Sequence, residues 1–381
     1  MSHRNRARSV PRQPLGGAKT APCVQQLDRT QVLYRGRRYA YFGGCDYYRL
    51  ASHPEVIQAL KDGLEAYGLN VAASRMTTGN HPVYGRLERR LSNFFGAPTA
   101  LVVSSGYMSN TIVAQALAGE FTHVFLDAKA HASLCDAAAY FGCPTASFDH
   151  RDVEALRALL KAMPKSARPI VLTDGLFGQD GSIAPLAGYL EVLPDNGRVL
   201  VDDSHGAGVL GDSSRGTLEH AGVDRDRCIQ TMTLSKALGV FGGVILGNHT
   251  LRDKVLRRSR AFHGSTPFPL PLACAAERSL QLLRKDRTLR DRLHQNVALV
   301  KRALKGKEIH IEETPSPIIA FDPGTPAHAD QLRRRLRSRR IYPSFIRYPG
   351  GPENGFFRIA LSSEHTAAQL NALVSALNQN P

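Results

Sequence analysis

The chain has 381 residues, 43% apolar and 22% charged, the mix of a folded globular protein with room for a large domain and a smaller one. No stretch approaches the ~18 uncharged apolar residues that span a bilayer, and the six scattered cysteines (Cys23, Cys45, Cys135, Cys143, Cys228, Cys274) form no CxxC pair. They argue for reduced thiols in a cytoplasmic protein rather than a disulfide framework or a zinc site. The net charge of +16 comes with neither a nucleic-acid-binding motif nor a basic patch interleaved with aromatics, so neither nucleic acid nor membrane is an expected partner.

Arg4, Arg6, Arg8, Arg12 and Lys19 precede the first acid, Asp28, while Pro11, Pro14, Gly16 and Gly17 interrupt any amphipathic helix. Residues 1–40 therefore read as a solvated, flexible basic tail with a short lead-in. Beyond it, short β-branched runs alternate with amphipathic stretches, which predicts βα units and a mostly parallel sheet over 41–266. The run from Ser74 to Pro82 is a glycine- and proline-marked turn into a helix. Strands are predicted at 100–103, 123–126, 169–173, 198–201, 228–231 and 243–246, with helices at 110–117 and 132–140. After about Pro267 the pattern changes: a long helix over 272–304, a strand at 317–321, a helix, strands at 340–342 and 356–361, and a final helix over 366–377. This predicts a smaller α+β domain over 267–381. The basic runs at 252–258 and 333–340 fall in helical patterns as polar faces; a basic surface also attracts anionic substrates such as coenzyme A or an acidic carrier protein.

The polar groups of chemical interest lie at the C-terminal ends of predicted strands or open helices, where ligands bind in open α/β sheets. Ser235-Lys236 follows one such strand, and its apolar, glycine-rich sequel 237–243 predicts an enclosed turn; a solvated loop lysine is the plainer alternative. Val201-Asp202-Asp203-Ser204-His205 ends another. An amine able to form a Schiff base, with an acid to keep a ring nitrogen protonated, is the minimum set for pyridoxal phosphate chemistry. Taken singly, a strand-end aspartate also caps helices or binds metals, and a lone histidine is more often structural. Ser104 to Asn110 is a strand-to-helix turn of the kind whose amides bind phosphate, though many α/β proteins have one. His131 opens a predicted helix, as a cap, a core residue or a ligand contact. Arg358 places a guanidinium fork, which suits a carboxylate, in an apolar strand.

The order, spacing and flanks of these segments resemble fold-type I pyridoxal phosphate enzymes, in particular the α-oxoamine synthases, over roughly residues 40–375. The resemblance implies an α/β fold with a large, mostly parallel sheet domain and a smaller C-terminal α+β domain, paired as a homodimer with a shared active site. It implies Lys236 as the Schiff-base lysine and proton shuttle, Asp202 at the pyridine nitrogen, His205 at the phenolic oxygen and His131 stacked on the ring. Gly106 and Tyr107 amides and the Thr233 hydroxyl would meet the phosphate, with Ser265 and Thr266 reaching it from the partner subunit. Arg358 would grip the substrate carboxylate, with Cys45 and Ser74 framing the substrate end. The implied reaction condenses a small amino acid with an acyl thioester of coenzyme A or a carrier protein, losing carbon dioxide, to give an α-aminoketone. Three positions depart from the family pattern: Cys45 replaces an asparagine, Gly178 stands where serine is usual, and Tyr84 where histidine is frequent. These leave open transamination or other Cα chemistry on the same fold; a non-catalytic regulatory protein is the third reading, without a helix-turn-helix segment to support it.

Overall fold

The computed structural model describes residues 22–305, 309, 311–347, 352 and 354–378. Of the expected tail and lead-in, residues 1–21 lie outside the described residues, and the lead-in carries strands. From Gln25 the chain forms an antiparallel sheet of β1 (Gln25–Gln26), β2 (Gln31–Tyr34) and β3 (Arg37–Ala40). Val32 and Tyr39, opposite each other, are buried while Arg37 and Arg38 face solvent. Buried apolar pairs of this kind hold an otherwise basic hairpin in place.

The central sheet contains β4 (Thr99–Val103), β5 (His123–Asp127), β6 (Thr145–Phe148), β7 (Pro169–Asp174), β8 (Arg198–Asp202), β9 (Cys228–Thr233) and β10 (Gly243–Gly247), in the order β4-β10-β9-β8-β7-β5-β6. β5 to β9 pair in parallel, whereas β10 runs antiparallel to both β9 and β4. The reason lies in the connection from β9, closed by Leu234 N donating to Gly242 O at 2.9 Å. It is too short for the dozen or more residues that a parallel crossover needs. Lys236 sits in that loop. β6 escaped the sequence reading because Thr145, Ala146 and Ser147 at this sheet edge make no apolar run. Alternate residues feed two cores: Ile170, Leu172 and Leu200 pack with helices Gly106–Ala116 and His249–Arg258, and Val171, Val199 and Val201 with helix Leu186–Val192. Both faces are thus covered, as a parallel sheet requires.

The helix expected over 272–304 is two helices, Leu270–Lys285 and Arg287–Leu304. Asp286 ends the first and caps the second, accepting from Thr288 N at 3.0 Å and Thr288 Oγ1 at 2.6 Å. The third sheet is antiparallel, with β11 (Ile318–Phe321), β12 (Phe345–Ile346) and β13 (Phe356–Ala360) in the order β11-β13-β12. The strand expected at 340–342 reduces to a bridge between Ile341 and Ala40, and β12 begins only after Pro343, which lacks an amide donor. No gap in packing marks the expected boundary at 267. Helix Leu270–Lys285 lies against helices Pro54–Tyr67 and Pro82–Phe95, and one buried cluster runs from Phe42 through Leu234 and Leu280 to Leu377. The segment after β3 lies along the C-terminal sheet, Ala360 N donating to Phe42 O at 2.7 Å and Ser363 N to Tyr47 O at 2.9 Å. That contact carries Cys45 to Arg358. No helix among the described residues is long and apolar enough to cross a membrane.

Candidate active site

Neighbouring strands of the central sheet end in polar residues: Asp127 on β5, Asp174 on β7, Asp202 on β8 and Thr233 on β9. The parallel register sets Asp174 beside Asp202, and Asp202 beside Thr231. A cavity of about 160 Å³ opens over these ends, and Gly106, Tyr107, His131, Asp202, Thr233 and Lys236 all line it. Asp174, Ser133, Ser204 and Ser235 complete the wall.

Asp202 is held from two sides. Its Oδ2 accepts from Asn110 Nδ2 at 2.7 Å and Ser133 Oγ at 3.3 Å, and its Oδ1 from Ser204 N at 3.1 Å. Asn110 in turn accepts from Thr231 Oγ1 at 2.6 Å. Sequence reasoning placed Asn110 only in the phosphate turn; its spacing of four from Gly106, one helical turn, was the available signal. Asp203 faces away and ties the following loop, accepting from Thr217 N, Thr217 Oγ1 and Gln230 Nε2 at 2.8, 2.6 and 2.6 Å. Burial, opposed by those donors, pushes its carboxyl up to about 6. Asp174, which the sequence reading passed over, accepts from His131 N at 2.7 Å. Burial and then neighbouring Asp202 push its carboxyl well above the usual range.

The two expected histidines differ. His131 caps helix Ala132–Ala138, its Nδ1 accepting from Ser133 N at 3.2 Å, and it also lines the cavity. Burial lowers its pKa, with Asp202 opposing the shift. His205 is buried with its Nδ1 2.7 Å from Tyr47 OH, and burial followed by the Lys236 charge drives its pKa well down, leaving a neutral imidazole. A β-carbon on Gly178 would fall 2.3 Å from His205 Nε2, so no side chain fits there while the imidazole keeps this position. Burial likewise lowers the Lys236 amine, partly offset by Cys45, Asp202 and Asp174.

Gly106 is the first residue of helix Gly106–Ala116, and Ser105 caps it by accepting from Met108 N at 3.3 Å. Gly106 and Tyr107 open this helix beside the Thr233 hydroxyl, and a helix start of this kind suits an anion. A β-carbon on Gly106 would lie 2.6 Å from Thr233 Cβ, so glycine is what lets the helix start meet that threonine.

Arg358 on β13 donates through Nε to Gly178 O and through Nη2 to Cys45 Sγ at 3.4 Å. Tyr84 is structural: its OH donates to Phe268 O at 2.8 Å, and its ring packs 4.9 Å from the Arg75 guanidinium, which pairs with buried Glu88. His205, Cys45 and Arg358 are not among the residues lining the cavity, and neither are Ser74, Ser265 and Thr266. Ser265 and Thr266 line a separate narrow cleft with Arg75, Val102 and Ser104, and Ser74 Oγ donates to His263 O at 2.6 Å.

The profile of the family described as aminotransferase class I and II matches residues 43–377. An 8-amino-7-oxononanoate synthase from Methylococcus capsulatus is 37% identical over 93% of this chain and 92% of its own length. One from Stutzerimonas stutzeri is 35% identical over 93% and 91%. Among solved structures, serine palmitoyltransferase from S. paucimobilis with a bound PLP–myriocin aldimine superposes with a TM-score of 0.87 at 28% identity, over 93% of this chain and 91% of that one. With these likenesses spanning the sheet, its strand-end residues and the C-terminal elements, the chain belongs to the aminotransferase class I and II family and, within it, to the α-oxoamine synthases.

Proposed function

We propose that this protein is a pyridoxal phosphate-dependent acyltransferase that joins a small amino acid to an acyl thioester, with loss of carbon dioxide, to give an α-aminoketone. The named relatives favour the 8-amino-7-oxononanoate synthase reaction of biotin formation, with alanine and a pimeloyl thioester as substrates. The observation that carries the reading is one cavity holding Lys236 and Asp202 over a helix start suited to phosphate.

The donor set fits the cofactor. Gly106 and Tyr107 amides with the Thr233 hydroxyl would hold its phosphate, Asp202 its pyridine nitrogen, His131 its ring face, His205 its phenolic oxygen and Lys236 its aldehyde carbon. Bound there, pyridoxal phosphate supplies an electron sink for a carbanion at the substrate Cα. Lys236, whose amine burial lowers from its ordinary value, would hold the cofactor aldehyde and serve as the base that takes the Cα proton. Asp202, fixed by Asn110, Ser133 and the Ser204 amide, stabilises positive charge opposite its carboxylate. Arg358 holds the amino-acid carboxylate, with Cys45 beside it.

Ser265 and Thr266 serve the phosphate site of a second protomer, making the working unit a cytoplasmic homodimer with a shared site. Exposed Leu69, Met76 and Phe241 supply apolar surface for that contact. Alanine or glycine with a series of acyl-coenzyme A or acyl-carrier-protein donors should release free thiol, and the product mass should identify the chain length. Cα-proton exchange without thiol release from any donor would favour transamination or other Cα chemistry, the alternative that Cys45 and Gly178 motivate.

A further inference from the structure

Arg358 has no carboxylate partner among the described residues; its polar contacts there include a backbone carbonyl, Gly178 O, and a thiol, Cys45 Sγ. A largely desolvated guanidinium calls for an anion. Cys45 is half-buried beside Arg358 and within reach of the Lys236 charge. Burial alone would push its thiol up, but the Arg358 charge first, then Lys236 and hydrogen bonds from Arg358 and Tyr47, bring it below the ordinary value. Tyr41 and, beyond it, Arg49 are the other ionisable groups on this loop that face the pair. Burial instead raises the thiols of Cys135, Cys143, Cys228 and Cys274.

We propose that Cys45 is a substrate-gated reactive thiol, whose thiolate is the counter-ion of Arg358 until a substrate carboxylate takes that place, and which soft electrophiles attack while the site is empty. The inference rests on the reading of Arg358 as the carboxylate site. With a haloacetamide, the Sγ electron pair forms the S–C bond, the carbon–halogen bond breaks and halide leaves; the thiol proton has already passed to solvent. The attached amide then stays beside Arg358 and blocks the carboxylate.

The test is iodoacetamide labelling of the holoenzyme at pH 7, with the rate at each cysteine read by peptide mass. Cys45 should react about tenfold faster than Cys135, Cys143 or Cys274, because more of it is thiolate. A panel of alanine, glycine, serine and propionate, the last a bare carboxylate, should include at least one member that slows Cys45 about tenfold while sparing exposed Cys23. Arg358→Gln should slow Cys45 comparably; the wild-type arms stand if that variant misfolds. Labelling of Cys45 no faster than that of Cys135, Cys143 and Cys274 overturns the proposal, as does a rate that no carboxylate changes. A protein that binds no pyridoxal phosphate, judged by its visible absorbance, overturns the functional reading separately; fast labelling that propionate slows would still support the thiol–guanidinium pair.

Discussion

The two ends of the cleft are built on different terms. At the strand ends, protein donors hold the carboxylates: Asp202 takes three hydrogen bonds, Asp203 takes its bonds from Thr217 at a helix start and Gln230 on β9, and Asp174 accepts from the His131 amide. At the Arg358 end, three distant stretches of chain meet through a carbonyl and a thiol. The first arrangement is rigid because strands of one sheet fix its spacing; the second depends on a loop lying against a small sheet. The departures at Cys45 and Gly178 fall at the second end. Chemistry shared by the family thus resides where the strands of one sheet fix the spacing, and the departures lie where a loop sets it.

Lys236→Ala attacks the first end most severely. It should cut turnover by about 10⁴-fold or more and leave borohydride no cofactor to fix to the chain, read by kinetics and intact mass. Asp202→Asn keeps the shape but turns one acceptor into a donor, and should lower kcat by roughly 10²–10³-fold in a folded protein. A change confined to KM would move Asp202 to the other side of the comparison. The substrate end is braced by buried His365, whose Nε2 lies 3.0 Å from Tyr41 O while Nδ1 accepts from Ser362 N at 3.0 Å. Burial, then Arg49, lowers this imidazole from 6.5 to about 3. The unfolded chain therefore takes up a proton that the folded one refuses, and stability present above pH 6.5 is lost as pH falls towards 3. Urea unfolding should show a loss of a few kcal/mol over that window, with a shallower slope in His365→Gln. Gly106→Ala should cost about 1–3 kcal/mol in thermal unfolding and weaken cofactor binding, because its β-carbon overpacks Thr233. Ser133→Ala should cost only about 1 kcal/mol, since Asn110 and the Ser204 amide still hold Asp202; a much larger loss would show that the network is less redundant than its geometry implies.

Lys236 and Asp202 were legible in the sequence because strand endings and flanking glycines are local features, and the cavity brings the two together. Asn110, Ser133 and Asp174 were not singled out, since each acquires its role from a partner more than 20 positions away. The reversed direction of β10 was implicit in the short loop before it, but the break at Asp286 was hidden by apolar periodicity that continues across it. The strand misplaced at 340–342 shows the opposite failure: a β-like tripeptide whose partner is the end of β3 rather than a neighbour in its own sheet. Ser74, Ser265 and Thr266 came from family likeness alone; within one chain Ser74 bonds His263 O and Ser265 and Thr266 line a separate cleft.

The bare α-carbon at Gly178 has an evolutionary corollary. Its missing substituent is the space into which His205 projects, and that imidazole is anchored by the Tyr47 hydroxyl. Placing serine there would force the ring to rotate and give up the Tyr47 hydroxyl, so position 178 is coupled to the backbone that carries His205. The family's usual serine should read as damage in this chain until the His205 loop resettles, and chimeric enzymes built from this sequence need to exchange the segments around 178 and 205 together.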